Sequence, residues 1–446
     1  MTDQLTHLLQ KLDAPAARYA LLDRYYAAEQ PLAFLSPEAK TALGQRFGRM
    51  ASNIPRLAVT ALAERLRITG FIGDDQVWAD WLRNDLDQQA GIAHREALLL
   101  GDSYAICWAD QLGRPLVSIE SAKQVAVQRD PATRQVIAAV KRWTTRNTTE
   151  AVYYLPDQIT RLRANQTGAT TAGFATVEEI DNPLGVVPVV PIHNGDRIWA
   201  ERQYTDMPRD FGHSEIEDLM PLVDGLNKSL ADMMVTSEYV GRPRRWATGI
   251  ELTEEPVLDA EGNDTGETVE VNPLPESHRM MISESPDSKF GQLQAADLQG
   301  YEASVRVMLG QIMAVSTLPA HYVGVFTDNP ASADALRAAE ASLTARAEAR
   351  QATFGRAWEQ VARLMIAVRD GADPEQIDVR VQWADAATRS VAQEADAVVK
   401  LYQAGLLPVS TALAKLGYTE DEIAEIRVAR RAEALDGAGI NLARQA

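Results

Sequence analysis

Two side chains in this sequence have the types and spacing for covalent chemistry. Ser103 stands in "GDSY" (Gly101 to Tyr104), and His213 closes "DFGH" (Asp210 to His213). A nucleophilic serine needs a base and a group that orients the base, and Asp210 with His213 has the composition of such a pair. The surroundings of Ser103 speak against it. "ALLLG" reads as the end of a helix with Gly101 as its C-cap, and "SYAICWA" reads as the strand that follows. The single cysteine, Cys107, falls mid-strand between Ile106 and Trp108 and reads as a small core residue. None of the six histidines stands at H-x-x-x-H or H-E-x-x-H spacing, so no metal site is expected. No Walker A, G-x-G-x-x-G or G-x-S-x-G motif occurs, and no cofactor is expected. "GRPRRW" sets Arg242, Arg244 and Arg245 beside Trp246, which could grip phosphate or a partner's carboxylates, or stand as a solvated turn. The stretch from Glu251 to Glu270 carries eight acids and no base, and reads as a solvated face before a docking site.

The elements that would carry these residues follow from composition and period. The chain has 446 residues, 46% hydrophobic and 24% charged, enough for several compact units of a soluble globular kind. Its net charge of −18 repels nucleic acid and anionic membrane, so a DNA contact has to be local or weak. One cysteine permits no internal disulfide. The opening "MTDQLTHLLQKLDA" lacks an apolar signal-peptide core, and no membrane span is expected.

Residues 1 to about 100 read as helices, with Ser36 and Pro37 opening one and Pro15 another. From Ser103 to about Ile180 the period falls to two, which predicts one antiparallel sheet. "DNPLGVVPVVPIHN" (Asp181 to Asn194) has the prolines of an edge strand or a crossing segment. Helix returns at Ser214, with Ser214 and Glu217 as a capping box. Leu219, Val223, Leu226, Leu230 and Met233 then form a heptad stripe, and Pro221 is the weak point. Gly241 to about Gly291 reads as an insertion of short strands. A second helix runs to Val315, and Thr317 to Ala331 breaks the helical pattern with Pro319, Gly324 and Pro330. Ser332 to Asp370 reads as one helix of roughly 58 Å, anchored by Leu336, Leu343, Phe354, Trp358, Val361 and Met365. A strand, "IDVRVQW", and three helices follow. The last of these opens on a Thr419/Glu422 capping box and ends in a frayed tail.

This order of blocks resembles the phage portal proteins, the ring-forming head–tail connectors, and within them the SPP1-like branch common in actinobacterial phages. The likeness rests on several blocks: "YYAAEQPLAFLSPE" (Tyr25 to Glu38), "NIPRLAVTALAERLRITGF" (Asn53 to Phe71), "REALLLGDSYAICWADQLGRPLVSIES" (Arg95 to Ser121), "NPLGVVPVVPIHN", "SEIEDLMPLVDGLNKSLADMM" and "NPASADALRAAE". Ala28 and Ala333 stand where the family pattern has glycine.

The resemblance implies an α+β portal fold. Its parts would be a wing at 1–212, stem helices at 213–240 and 292–316, and a β-rich clip at 241–291. A tunnel loop would follow at 317–331, a long wing helix with a returning strand at 332–386, and a helical crown at 387–446. It further implies a ring of about twelve copies through which double-stranded DNA is packaged and ejected. The implied partners are terminase, a head–tail adaptor, and capsid and scaffold proteins. The chain would sit at the capsid portal vertex after assembly in the host cytoplasm, without membrane and without catalysis.

On this template Val325, Phe326, Thr327, Asp328 and Asn329 are DNA-facing candidates. Thr317 to Ala331 has no Lys or Arg, which suits a duplex that must slide. Glu217, Asp218, Asp224 and Asp232 are candidates for tunnel-facing acids, and Arg242, Arg244, Arg245 and Trp246 for clip contacts. The alternatives are a serine hydrolase similar to the GDSL type, using Ser103 and His213, and a generic helical scaffold.

Overall fold

The computed structural model describes residues 3–33, 51–195, 211–241, 245–249, 253–258, 264–271, 286–292, 298–324, 333–387 and 391–445. The chain divides into two compact units, one of Met1–Leu226 with Met308–Ala446 and one of Asn227–Val307. Helix α1 (Asp3–Asp13) opens the larger unit. Its Leu5, Leu8, Leu9 and Leu12 recur at helical spacing and are buried together with Ala138, Val140, Ala151, Tyr153 and Leu162 of a β-sheet. After α2 (Ala16–Tyr26) and α3 (Ile54–Ala63) come β1 (Ile68–Ile72), α4 (Val77–Arg83) and α5 (Leu86–Leu100). Gly101 caps α5 with φ 100°, and there an added Cβ would stand 2.3 Å from the carbonyl oxygen of Gly212.

The single sheet expected after Ser103 is two sheets. β2 (Asp102–Ala109) lies between β3 (Pro115–Ser121) and β9 (Val189–His193), antiparallel to both. With both edges of β2 taken, the chain turns after Ser121 and builds a second sheet from β4 (Val125–Arg129), β5 (Val136–Thr144), β6 (Thr149–Tyr154), β7 (Gln158–Ala164) and β8 (Phe174–Asp181). Period-two patterning marks strands and faces but does not say which strands pair. β9 is an edge strand that contains Pro191, as the prolines predicted.

The helix expected from Ser214 starts later. Glu215 to Leu219 form turns, and α6 (Met220–Gly241) places Pro221 in its first turn, where a missing N–H costs nothing. Leu219, Val223 and Leu226 of the stripe are buried. α7 (Gln299–Ser316) runs antiparallel to α6: Met308 lies against Gly225, and Thr236 Oγ1 donates to the Tyr301 hydroxyl at 3.2 Å.

α8 (Ala333–Asp370) is continuous, and Leu343, Phe354, Trp358, Val361 and Met365 are buried along it. Leu336, expected as an anchor, is instead 38% exposed. β14 (Arg380–Trp383) returns and pairs with β1, a strand inside the segment read as helical. The two are some three hundred residues apart, and no local pattern announces such a pairing.

α9 (Val391–Gln403), α10 (Val409–Lys415) and α11 (Glu420–Gln445) close the chain. Glu422 accepts from the Thr419 N–H at 2.7 Å and donates its own N–H to Thr419 Oγ1 at 3.4 Å, which is the capping box. α11 continues to Gln445 where a frayed tail was expected. In the smaller unit β10 (Arg245–Thr248) pairs with β13 (Lys289–Gln292), and β11 (Thr253–Leu258) pairs with β12 (Asp264–Val271). Each pair is a two-stranded ladder.

Candidate functional site

Ser103 is fully buried, and its hydroxyl donates to the Ala93 carbonyl at 2.8 Å. His213 turns its ring to the Ser214 carbonyl at 2.7 Å. Neither contact joins the serine to a base. Asp102 is the working acid here. Its carboxylate accepts from the Gly212 N–H at 2.7 Å and meets His193 Nδ1 at 2.6 Å, which fastens β9 and the approach to α6 onto β2. Burial alone would raise the Asp102 pKa, but the His193 and Gly212 bonds hold it below the usual carboxylate value. Cys107 is buried, and burial pushes its thiol up to about 12, which agrees with an inert core residue.

The four candidate tunnel acids are not equivalent. Arg18 and Tyr25 stand seven residues apart on one face of α2. Arg18 grips Glu217 with two bonds, Nε to Oε1 at 3.3 Å and Nη2 to Oε2 at 3.1 Å, and also reaches the Leu100 and Gly212 carbonyls. The Tyr25 hydroxyl donates to Asp224 at 2.7 Å. Partial burial raises the pKa of Asp224, a tendency the Tyr25 bond opposes. Glu217 and Asp224 are therefore committed to α2 inside the chain. Asp218 is exposed, and Asp232 pairs with Lys228 one turn away on α6. Glu215, which carried no role in the sequence reading, is the most enclosed acid of this segment. It accepts from Arg350 at 2.8 Å, from Arg346 at 3.1 Å and from Asn194 at 3.1 Å. Arg346 also donates to the Ser316 carbonyl at 3.1 Å, so one α8 side chain holds both the approach to α6 and the end of α7. The four-residue spacing of Arg346 and Arg350 on a helix was the available signal.

Residues Val325, Phe326, Thr327, Asp328 and Asn329 lie outside the described residues; the segment before them, Thr317 to Gly324, does not. Ser316 Oγ donates to the Ile312 carbonyl at 2.7 Å. Thr317 follows with φ 59°, a left-handed conformation that a β-branched residue rarely adopts, and its buried hydroxyl has no hydrogen-bond partner. Ala320–Val323 form a 3-10 turn. His321 Nε2 lies 3.3 Å from Glu340, and Arg65 bonds both Glu340, at 3.0 Å, and the Tyr322 hydroxyl, at 3.3 Å. Gly324 ends the turn at φ 77°. Thr317 to Gly324 is thus a braced turn directly after α7.

Arg242 and Arg244 also lie outside the described residues. Arg245 and Trp246 sit on β10. Trp246 is 44% exposed, and its ring covers Gly291 of the paired strand, where a Cβ would come within 2.4 Å of the indole. Among the described residues no group of three or more His, Cys, Asp and Glu side chains could hold a metal, and no helix is long and apolar enough to cross a membrane.

In chain order the antiparallel helices α6 and α7 bracket the short ladders β10–β13 and β11–β12. The chain matches the family model for phage portal proteins of the SPP1 Gp6-like type over residues 6–434, and it belongs to that family. It is 30% identical over 411 residues to the portal protein of Mycobacterium phage L5, covering 86% of this chain and 80% of that protein. It is 31% identical over 412 residues to the portal protein of Mycobacterium phage D29, with the same coverage. Among solved structures it is similar to a chain of the virion of a native gene transfer agent particle, with TM-score 0.45, 14% identity, and coverage of 92% of this chain and 99% of that one. A chain from the neck of an empty particle of this kind gives TM-score 0.47 and 15% identity, with 90% and 93% coverage. The function is that of a portal protein, a head–tail connector of the phage virion.

Proposed function

We propose that about twelve copies close into a ring by head-to-tail contact, and that double-stranded DNA is packaged and later ejected through its bore at the capsid vertex. α6 and α7 are the stem on this reading, the strands between them are the clip, and α8 with the larger unit is the wing. The clip docks terminase during packaging and a head–tail adaptor afterwards, through Arg242, Arg244, Arg245 and Trp246. Capsid and scaffold proteins surround the wing, and assembly takes place in the host cytoplasm. The chain performs no catalysis of its own.

The observation that carries this reading is the family match along residues 6–434, joined to an antiparallel α6/α7 pair. Charge supports the passage of DNA. With a net charge of −18 and no Lys or Arg from Thr317 to Ala331, neither wall nor loop would grip phosphate. Val325 to Asn329 are the residues that would brush the duplex. Asp218 and Asp232, rather than Glu217 and Asp224, are the acids left to face it. Class-averaged electron micrographs of the purified full chain should show, in top view, a closed ring with a central hole. A monomer in sedimentation under every solvent condition would overturn the reading.

A further inference from the structure

Gly91 lies in the middle of α5, where glycine weakens a helix relative to alanine. Among the described residues nothing accounts for it: a Cβ built there would have nothing within 4 Å. Gly91 is instead part of the wall of a half-open pocket of about 180 Å³, whose apolar part includes Leu66, Ile68 and Leu86. A cavity of roughly 150 Å³ accepts a benzene ring, so this one has room for one aromatic side chain.

Three further features mark the pocket as made for an occupant. Trp81 forms part of its wall and is fully buried, yet its indole N–H has no acceptor. The neighbouring indole of Trp358 does have one, donating to His94 Nε2 at 2.7 Å. Next to Gly91, Ile92 is 53% exposed. Finally, Glu64, Arg67, Asp87 and Arg95 in the same wall form no ion pair among the described residues. Two charges of each sign suit neither a polyanion nor a polycation.

The same chain carries a matching surface. Val399 and Tyr402 stand three residues apart on one face of α9, and Leu406 follows just past the helix end; they are 44%, 41% and 70% exposed, a short apolar stripe among the described residues. Tyr402 brings a ring of the right size and a phenolic oxygen able to accept from an indole N–H. Asp396 and Lys400, an exposed ion pair on α9, add one charge of each sign beside it.

We propose that the Gly91 pocket is a socket between subunits that receives Tyr402 of a second copy of this chain, with the Val399–Leu406 stripe lying across Ile92. The inference rests on the ring reading. One stripe and one socket per copy make a heterologous contact, which can close into a ring.

The test uses the full chain, with ring fraction read by sedimentation and negative stain. Gly91→Ala puts a methyl into the socket wall and should lower the ring fraction, but less than Gly91→Phe does. Gly91→Phe plugs the socket and should cut the ring fraction at least roughly tenfold, as loss of an interface anchor does, with the monomer's circular dichroism and melting unchanged. Tyr402→Ser should give the same loss. A chain carrying both Ile92→Cys and Val399→Cys should form, on oxidation, a ladder of covalently linked subunits, and this arm decides if Gly91→Phe does not fold. Wild-type rings together with full rings from Gly91→Phe, or with linkage only inside single chains, would overturn the socket and leave the ring reading standing. A wild type that never forms rings would remove the ring reading and the socket with it.

Discussion

The two compact units use β-structure in opposite ways. In the larger one, β2 is buried along Asp102 to Cys107 between two neighbouring strands, and the five-stranded sheet is covered by the leucines of α1. In the smaller one, the ladders β10–β13 and β11–β12 have two strands each, and Trp246, Val269 and Phe290 stand 41–53% exposed on them. A two-stranded hairpin without a third strand or a covering helix is marginal in water. The larger unit therefore supplies its own apolar partners, while the described ladders of the smaller one leave large apolar side chains exposed.

The largest effect expected from this difference is in amide exchange of an isolated subunit. Amides of Ala105, Ile106 and Val140 should exchange several orders of magnitude more slowly than those of Trp246, Ala247 and Val269. Equal protection in the two regions would break the comparison. A smaller effect, confined to the larger unit, should follow Trp358→Ala. Trp358 is fully buried, meets Trp81 edge-on at 5.0 Å and donates to His94. Its removal leaves a cavity at the crossing of α4, α5 and α8 and should cost about 3–5 kcal/mol in urea unfolding. A loss below about 1 kcal/mol would show that the aromatic cluster does not hold the larger unit. His94 shares that cluster and is kept neutral, its pKa pushed down to about 3 by burial.

The features legible in the sequence were those that a single element decides. The heptad stripe on α6, the anchors of α8 from Leu343 onward, the edge position of Pro191 and the Thr419 capping box all depend on spacing within a few turns. What escaped the reading depends on partners far along the chain. β1 needed β14 to be recognised as a strand, and the split into two sheets needed β9 to close an edge of β2. The candidate site shows the same limit more sharply. Glu217 and Asp224 are acids on a predicted helix, and nothing nearby in sequence says that Arg18 and Tyr25, each 199 residues away, claim them. Thr317 was visible as the start of a break, but not as a strained residue.

Thr317 offers the finest test, at the turn that follows α7. A β-branched residue held at φ 59° costs about 1–2 kcal/mol relative to right-handed geometry, and its buried hydroxyl without a partner adds to that cost. The conformation persists because the turn is clamped on both sides. Arg346 holds the Ser316 carbonyl, and Arg65 and Glu340 hold Tyr322 and His321. Thr317→Gly removes both costs but gives the unfolded chain more freedom, which takes back roughly 0.5–1 kcal/mol. The net expectation is a gain of about 1 kcal/mol. Thr317→Ala removes the hydroxyl together with the γ-methyl but keeps a Cβ and the left-handed penalty, so it should gain less. Urea midpoints at constant slope separate the two. If Thr317→Gly were no more stable than Thr317→Ala, the backbone at this position would carry no strain, and the clamp of Arg65, Glu340 and Arg346 would be holding a relaxed turn.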